Sequence, residues 1–306
     1  VNYAPIDACA GNSFAGATLI VSVQAWHTIS VADQLNLALR LNKLATQSGS
    51  VKFHLFEKDT SGVWVEKSSA ALALSLTSSQ GSTAYVAADS NSCSLKAPCF
   101  INSGDDLAGG LGTGLKDALD ALPNGTALAP ISINILGTYP IKSNEVLVDR
   151  PNFVLQGSGS STLTSSGTLC SAPMLGITSQ VTVQGLTIND GDCTTVSRNL
   201  LRVNSALPVT IQNNTLQQGA HAIVYEDNSG NLLVQFNHIA NNIGYAVRRT
   251  GTTGAGSLTV VANNLLNNAW STQIECGIAS KGVVDHNYWG PGISPASASA
   301  NCTYTE

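Results

Sequence analysis

The chain is short of charge. Asp, Glu, Lys and Arg make up only 11% of its 306 residues, against about 25% in an ordinary globular domain. With a net charge of −5 and no Lys/Arg clusters, it lacks the basic footprint of a nucleic-acid-binding protein. No apolar run reaches about 18 residues, so no transmembrane helix is expected. Glycine has no triplet period and no heptads are sustained, which removes collagen and coiled coil. Aromatics, at 6%, are few for a sugar-binding groove. No Gly-x-Ser-x-Gly, His-Glu-x-x-His, P-loop or dinucleotide fingerprint occurs. What is present is apolar: 43% of the residues are hydrophobic, too many for a disordered chain.

There are seven cysteines, Cys9, Cys93, Cys99, Cys170, Cys193, Cys276 and Cys302. None forms C-x-x-C, and no Cys/His group has zinc spacing. Dispersed cysteines in a weakly charged chain point to an oxidising, extracellular or cell-surface setting. Val1 is not followed by a charged and then an apolar signal region, so a secreted form is expected to have lost its signal already. Asn124, Asn213 and Asn301 lie in glycosylation sequons.

Residues 1–82 read as a small β-rich, sandwich-like domain. Leu19–Trp26 is strand-like, and Leu35, Leu37, Leu39 and Leu41 alternate with other residues, although the same stretch suits a helix. Val51, Phe53 and Leu55 lead to a turn at 57–62 and a return at Val63–Glu66, a hairpin pattern. Leu72, Leu74 and Leu76 suggest a fifth strand. A Ser/Gly-rich link at 78–82 precedes the second domain, 83–306. That domain opens with Tyr85–Asp89 and the Cys93–Cys99 loop. Leu115, Ala118, Leu119 and Leu122 then predict a helix stopped by Pro123-Asn124-Gly125, followed by a strand through Ile131, Ile133 and Ile135.

From Phe153 the chain repeats. Copies start at Phe153, Val181, Val209, Leu232, Leu258 and Gly282, at intervals of 28, 28, 23, 26 and 24 residues. Such a period without a helix in each unit predicts a parallel β-helix. Two apolar columns support it: Leu155, Val183, Ile211, Val234, Val260 and Val284, and Ile188, Leu216, Ile239, Leu265 and Trp289. Between them runs an asparagine column, Asn214, Asn237, Asn263 and Asn287, with Leu186 in the first copy. Side-chain amides stacked at a bend bond backbone groups and one another, and Asn tolerates left-handed backbone. Fifteen asparagines fall in residues 189–287 and eleven elsewhere, as a ladder requires. Disulfides Cys93–Cys99, Cys170–Cys193 (about one coil apart) and Cys276–Cys302 are expected from the spacing.

Residues 84–302 resemble the pectate-lyase-like superfamily of right-handed parallel β-helix proteins. The features that carry the likeness are the Tyr-Val strand, the Asp/Ser/Asn/Cys loop, the capping helix, the strand ending Gly137-Thr138-Tyr139, and the closing Asn287-Tyr288-Trp289-Gly290. The resemblance implies an all-β, right-handed parallel β-helix solenoid. It does not fix activity, because this fold hosts lyases, hydrolases, tail spikes and adhesins.

A lyase of this kind needs an acidic Ca²⁺ cluster and a nearby base. Asp190 and Asp192 come closest, yet Gln218, Asn241 and Asn267 occupy the Asp190 position in later coils, and Ca²⁺ wants six to eight oxygens. A hydrolase needs two carboxylates across a cleft; Glu226 and Asp227 are neighbours in sequence. Arg198, Glu226, Arg249 and Glu275 stand fourteen residues after a common position and are expected to stack as an ion-pair ladder. His238 shares its column with Thr187, Thr215, Asn264 and Tyr288, an outward position without special chemistry. No catalytic, cofactor-binding or metal-binding residue is assigned. The expected function is that of an extracellular structural or adhesive surface protein. It would form homo-oligomers or filaments by strand addition through residues 1–25, near Cys9, and contact a cell surface or polysaccharide. The alternative is a polysaccharide lyase or glycoside hydrolase.

Overall fold

A computed structural model describes residues 82–305 apart from 90, 94–95, 97, 102–113, 142–144, 159, 166–171, 192–197, 227–229, 252–253, 269–270 and 278–280. Before residue 82 it describes the strands 2–3, 21–22, 49–58 and 64–74, with Ser61. The chain divides into two units, Val1–Leu41 and Asn42–Glu306. In the first, Asn2–Tyr3 pairs antiparallel with Val21–Ser22. In the second, Gly49–Lys58 forms a hairpin with Trp64–Leu74, with a register shift at Leu55/Phe56. Leu72 and Leu74 therefore belong to the returning strand and not to a fifth one. A shift of register lets the alternation resume on one long strand, which in sequence reads as two short ones. Among the described residues, the hairpin shares no sheet with the strands from Thr83 onward. Leu35–Leu41 lies outside the described residues.

The rest is a parallel β-solenoid of six three-stranded turns, with further strands at both ends. Its first sheet has ten strands, from Cys99–Ile101 and Thr83–Ala87 at one end to Thr303–Thr305 at the other. The second has six, from Thr138–Ile141 to Asn264–Leu266. The third has seven, from Val146–Val148 to Ser299–Ala300. Every pairing in these three sheets is parallel, and each strand bonds its counterpart one coil away. Both expected apolar columns are in register and buried, and they form one continuous core. Strand faces alternate because the side-chain period is two. Outward on the first sheet stand Ser132, Val154, Thr182, Thr210, Leu233, Thr259, Val283 and Thr303.

From the coil that starts at Val181 onward, the corner from first to second sheet takes two residues, 185–186, 213–214, 236–237 and 262–263, whereas the two coils before it take one residue, 137, and four, 158–161. The residue nearer the first sheet is left-handed in each: Gly185, Asn213, Phe236 and Ala262, with His286 in the last coil. It is thus this residue, and not the ladder asparagine after it, that takes the left-handed conformation. The next residue turns inward. Asn214 Nδ2 donates to Asn237 Oδ1 (3.1 Å), Asn237 Nδ2 to Asn263 Oδ1 (3.0 Å) and Asn263 Nδ2 to Asn287 Oδ1 (2.9 Å). Each Nδ2 also donates to a core-strand carbonyl, of Val183, Ile211, Val234 and Val260. The N–H groups of Leu186, Asn214, Asn237 and Asn263 donate to the next oxygen in the ladder. A second ladder runs outside the first sheet, where Gln156, Gln184, Gln212 and Gln235 each donate to the preceding amide, beginning at Asn134. A third, Asn242 to Asn268 (2.9 Å), closes the far side of the second sheet.

Helix α1, Leu115–Ala121, buries Leu115, Ala118 and Leu119 against the first coil, as the spacing predicts. Arg150 donates to the carbonyls of Leu119, Asp120 and Leu122 at its C-terminal end, where cations favour the helix dipole. Disulfides Cys93–Cys99 and Cys276–Cys302 are formed. The second ties the terminal strands to the sixth full coil. Cys170 and Cys193 lie outside the described residues. No helix among the described residues is long and apolar enough to cross a membrane.

The Asn ladder is cooperative, and removal of one rung should show it. Asn237→Ala is expected to cost about 2 kcal/mol, since it leaves the buried Asn214 amide and the Asn263 oxygen each short of a partner. Urea unfolding of the two chains measures the difference, and a loss below about 0.5 kcal/mol would deny the ladder its role.

Candidate functional site

Charge gathers on the outward face of the third sheet, on the side where coil length varies. Connections into this sheet run over residues 190–200, 218–222, 241–246 and 267–273. In register on its outer face lie Leu147, Gly176, Arg202, Val224, Arg248 and Glu275. Glu145 precedes the first of these strands and Glu226 follows the fourth. Arg202 joins them. Its Nε and Nη2 donate to Glu145 Oε1 (2.7 Å) and Oε2 (2.9 Å), and its Nη1 donates to Glu226 Oε2 (3.2 Å). The first contact is a bidentate fork, the strongest geometry available to this pair.

Glu145 reaches Arg202 two coils away because Gly176 stands between them. A Cβ at Gly176 would fall 2.3 Å from Glu145 Oε1. The hydrogen bond to Glu145 comes first among the causes that raise the Arg202 pKa above its ordinary value. Burial opposes it, and both carboxylate charges add to it. The donors of Arg202 are thereby committed to the two carboxylates.

The structure does not form the expected ladder Arg198–Glu226–Arg249–Glu275. The fourteen-residue spacing crosses the variable connection, so the register is lost there. Arg198 lies in the turn at 190–200. It is buried with Asp190, with Nε 3.4 Å from Oδ1, and its N–H donates to Oδ2 (2.8 Å). Burial is the main cause lowering the Arg198 pKa, and Asp190 counteracts it. Arg249 points into the core, 2% exposed, with its guanidinium 5.3 Å from the Tyr225 ring and Nη2 donating to Gly254 O. Glu275 accepts from Asn301 Nδ2 (2.8 Å). Of the four, only Glu226 joins the Arg202 group.

Asp190 does share its position with Gln218, Asn241 and Asn267, as the neighbouring register requires. Its buried side chain and arginine partner are those of a strap, not of a solvent-facing cation ligand. Asp192 and Asp227 lie outside the described residues. Among the described residues, no three His, Cys, Asp or Glu side chains gather as metal ligands. Sequence reasoning missed Glu145 and Arg202 altogether, because nothing in their spacing links residues 57 apart.

His221 sits at the edge of this face. Its ring overlies Gly244, where a Cβ would be 2.3 Å from Nδ1, and it lies 5.4 Å from the Tyr245 ring. Nδ1 accepts the Tyr245 N–H (2.9 Å), so the neutral ring carries its proton on Nε2. Burial, and then the Arg248 charge, lower the His221 pKa. Neither a family model, nor a curated protein, nor a solved structure matches the chain.

Two outcomes are expected. Gly176→Ala and Arg202→Met should each cost about 1 kcal/mol, and the double variant less than the sum, because both act through Glu145. Additive losses in a double-mutant cycle would show that Glu145 does not couple them. For His221, the folded pKa is depressed, so its contribution is full above the unfolded value of about 6.5 and is lost as pH falls from there through the folded pKa. Thermal unfolding between about pH 7.5 and 4.5 should therefore decline less steeply in His221→Gln than in the parent, and parallel curves would refute the assignment.

Proposed function

We propose that this chain is an extracellular structural or adhesive surface protein of the pectate-lyase-like superfamily, a rigid β-helix that presents long, weakly charged faces. It assembles head to tail through residues 1–25. The observation that carries the reading is the state of the charged face. The two carboxylates that meet there are both hydrogen-bonded to Arg202, and the guanidinium stands where a hydrolase keeps its water or glycosidic oxygen. Asp190 is likewise committed to Arg198. The Arg202 group holds coils together, and the Asp190–Arg198 pair holds its own turn. Two disulfides suit an oxidising, non-cytosolic setting, and the Thr, Val and amide columns of the first sheet suit contact without chemistry.

One observation favours the competing reading, a glycoside hydrolase: two carboxylates do meet on one exposed sheet face. Turnover decides between them. Incubation with pectin, alginate, polygalacturonate and neutral glucans, with and without Ca²⁺, should yield neither unsaturated products nor new reducing ends. Release that disappears in Glu226→Gln or Asp190→Ala would replace this proposal with the enzyme. Deletion of residues 1–17 should abolish concentration-dependent assembly in sedimentation, whereas monomeric full-length and truncated chains would end the filament model.

A further inference from the structure

The sequons at Asn124, Asn213 and Asn301 take no part in the charged face, and the fold treats them differently. In two of them the amide is already engaged. Asn124 Oδ1 accepts from Arg150 Nε (3.0 Å), and the same arginine holds the end of helix α1. Asn301 Nδ2, the atom to which a sugar would be joined, donates to Glu275 Oε1 (2.8 Å). The middle residue of that sequon, Cys302, is locked in the disulfide to Cys276.

Asn213 differs from both. It is exposed at the left-handed position of the corner. Its backbone is held, since its N–H donates to Gln235 O and its carbonyl accepts from Gly185. Its side-chain amide has no hydrogen-bond partner among the described residues. Asn214 turns inward to the ladder, so Asn213 and Thr215 on either side of it both face outward. These are the two side chains a sequon supplies, the acceptor amide and the hydroxyl two residues on.

The neighbouring rungs of Asn213 are unlike. Gln212 pairs with Gln184 on one side and with Gln235 on the other. Asn213 therefore stands between Gly185 and Phe236, each about 4.8 Å away at the usual strand spacing. Beyond Gly185 comes Gly157, next after the in-register Gln156. Toward that end the corner carries no side chains, which leaves room for a bulky group. Toward the other end stands the Phe236 ring, 57% exposed. Its backbone is at φ 56°, a region that bulky residues avoid.

From this arrangement we infer that Asn213 is an N-glycosylation site and that the first sugar of its glycan lies on the Phe236 ring. The sequon, and not the ring, names the occupant: an N-acetylhexosamine carried on a lipid pyrophosphate and transferred by a secretory oligosaccharyltransferase. Asn213 Nδ2 attacks the anomeric carbon. The C–N bond forms as the C–O bond to the pyrophosphate breaks. The lipid pyrophosphate leaves with the electron pair, and the amide proton passes to a base of the transferase. The C–H face of the sugar then covers apolar ring surface that otherwise meets water. The site rests on the non-cytosolic setting of the proposed function and needs neither adhesion nor assembly.

The test is the full chain secreted from a yeast host. Release by peptide N-glycosidase in heavy-oxygen water, followed by peptide mapping, should mark Asn213 and not Asn301. Thr215→Ala, which keeps Asn213, should abolish the mark. Removal of the glycan should lower the melting temperature of the parent by about 2 °C, and trimming to a single N-acetylglucosamine should not lower it. In Phe236→Ala, Asn213 should still be modified, but removal should leave the melting temperature unchanged. Ala262 already places alanine at the left-handed position, so this variant is expected to fold. The enzyme leaves the same aspartate in both chains, so the comparison isolates the ring. A bare Asn213 in a secreted chain with Cys276–Cys302 formed would overturn the site and leave the non-cytosolic reading standing. Free thiols at Cys276 and Cys302 would overturn both. An equal melting shift with and without Phe236 would overturn the contact between sugar and ring.

Discussion

From Val181 onward the solenoid depends on a corner of constant length. Two residues there separate each first-sheet strand from the second-sheet strand after it, the first left-handed and the second turned inward. Constant length keeps neighbouring coils in step, and only coils in step can stack like on like. The inward position then admits a residue that would otherwise be a liability. A buried amide without partners costs about 1–3 kcal/mol, yet each ladder Asn is satisfied by its neighbours and by a core carbonyl. The ladder ends cleanly at Leu186, whose N–H still bonds the Asn214 oxygen while its side chain joins the apolar core.

Around the third sheet the opposite rule applies. Connections differ in length from coil to coil, so side chains cannot form long columns of one type. The charges are held instead by local solutions that skip rungs. Gly176 is the clearest, since its missing side chain lets Glu145 pass over a whole coil to reach Arg202. Val224 next separates Arg202 from Arg248 on the same face, which keeps two guanidinium groups from lying directly abreast, an unfavourable arrangement on a sheet. The fold thus divides into a side where identity stacks and a side where unlike residues pair.

That division also explains what was legible in the sequence. The columns through Leu155, Val183 and Ile211, through Ile188 and Leu216, and through Asn214 and Asn237 lie on either side of the constant corner, where counting along the chain is the same as counting in space. The extrapolation to Arg198, Glu226, Arg249 and Glu275 crossed the variable connections and failed there. The second Asn ladder escaped for another reason: Asn241-Asn242 and Asn267-Asn268 are doublets, and only the structure shows that the first of each pair is left-handed while the second turns inward. The Arg202 group was illegible because its members come from three coils and obey no period.

The constant corner has a further consequence for recognition. A binding surface gains affinity when its groups are held in place before the ligand arrives. Beside the Asn ladder each rung fixes the backbone of the one before it, through an N–H that donates to the next side-chain oxygen. The outward residues there are free of structural duty, as the variety Gly185, Asn213, Phe236, Ala262 and His286 shows, so their chemistry is not dictated by the fold. A strained, exposed phenylalanine in that setting is opposed both by its backbone and by water. Its counterpart at the Arg202 face is instructive: there, unusual residues are explained by the partners they hold, whereas Phe236 and Tyr288 project outward as exposed rings. Rigidity below and residue freedom above are what a recognition surface requires, and on this solenoid both occur along the same edge.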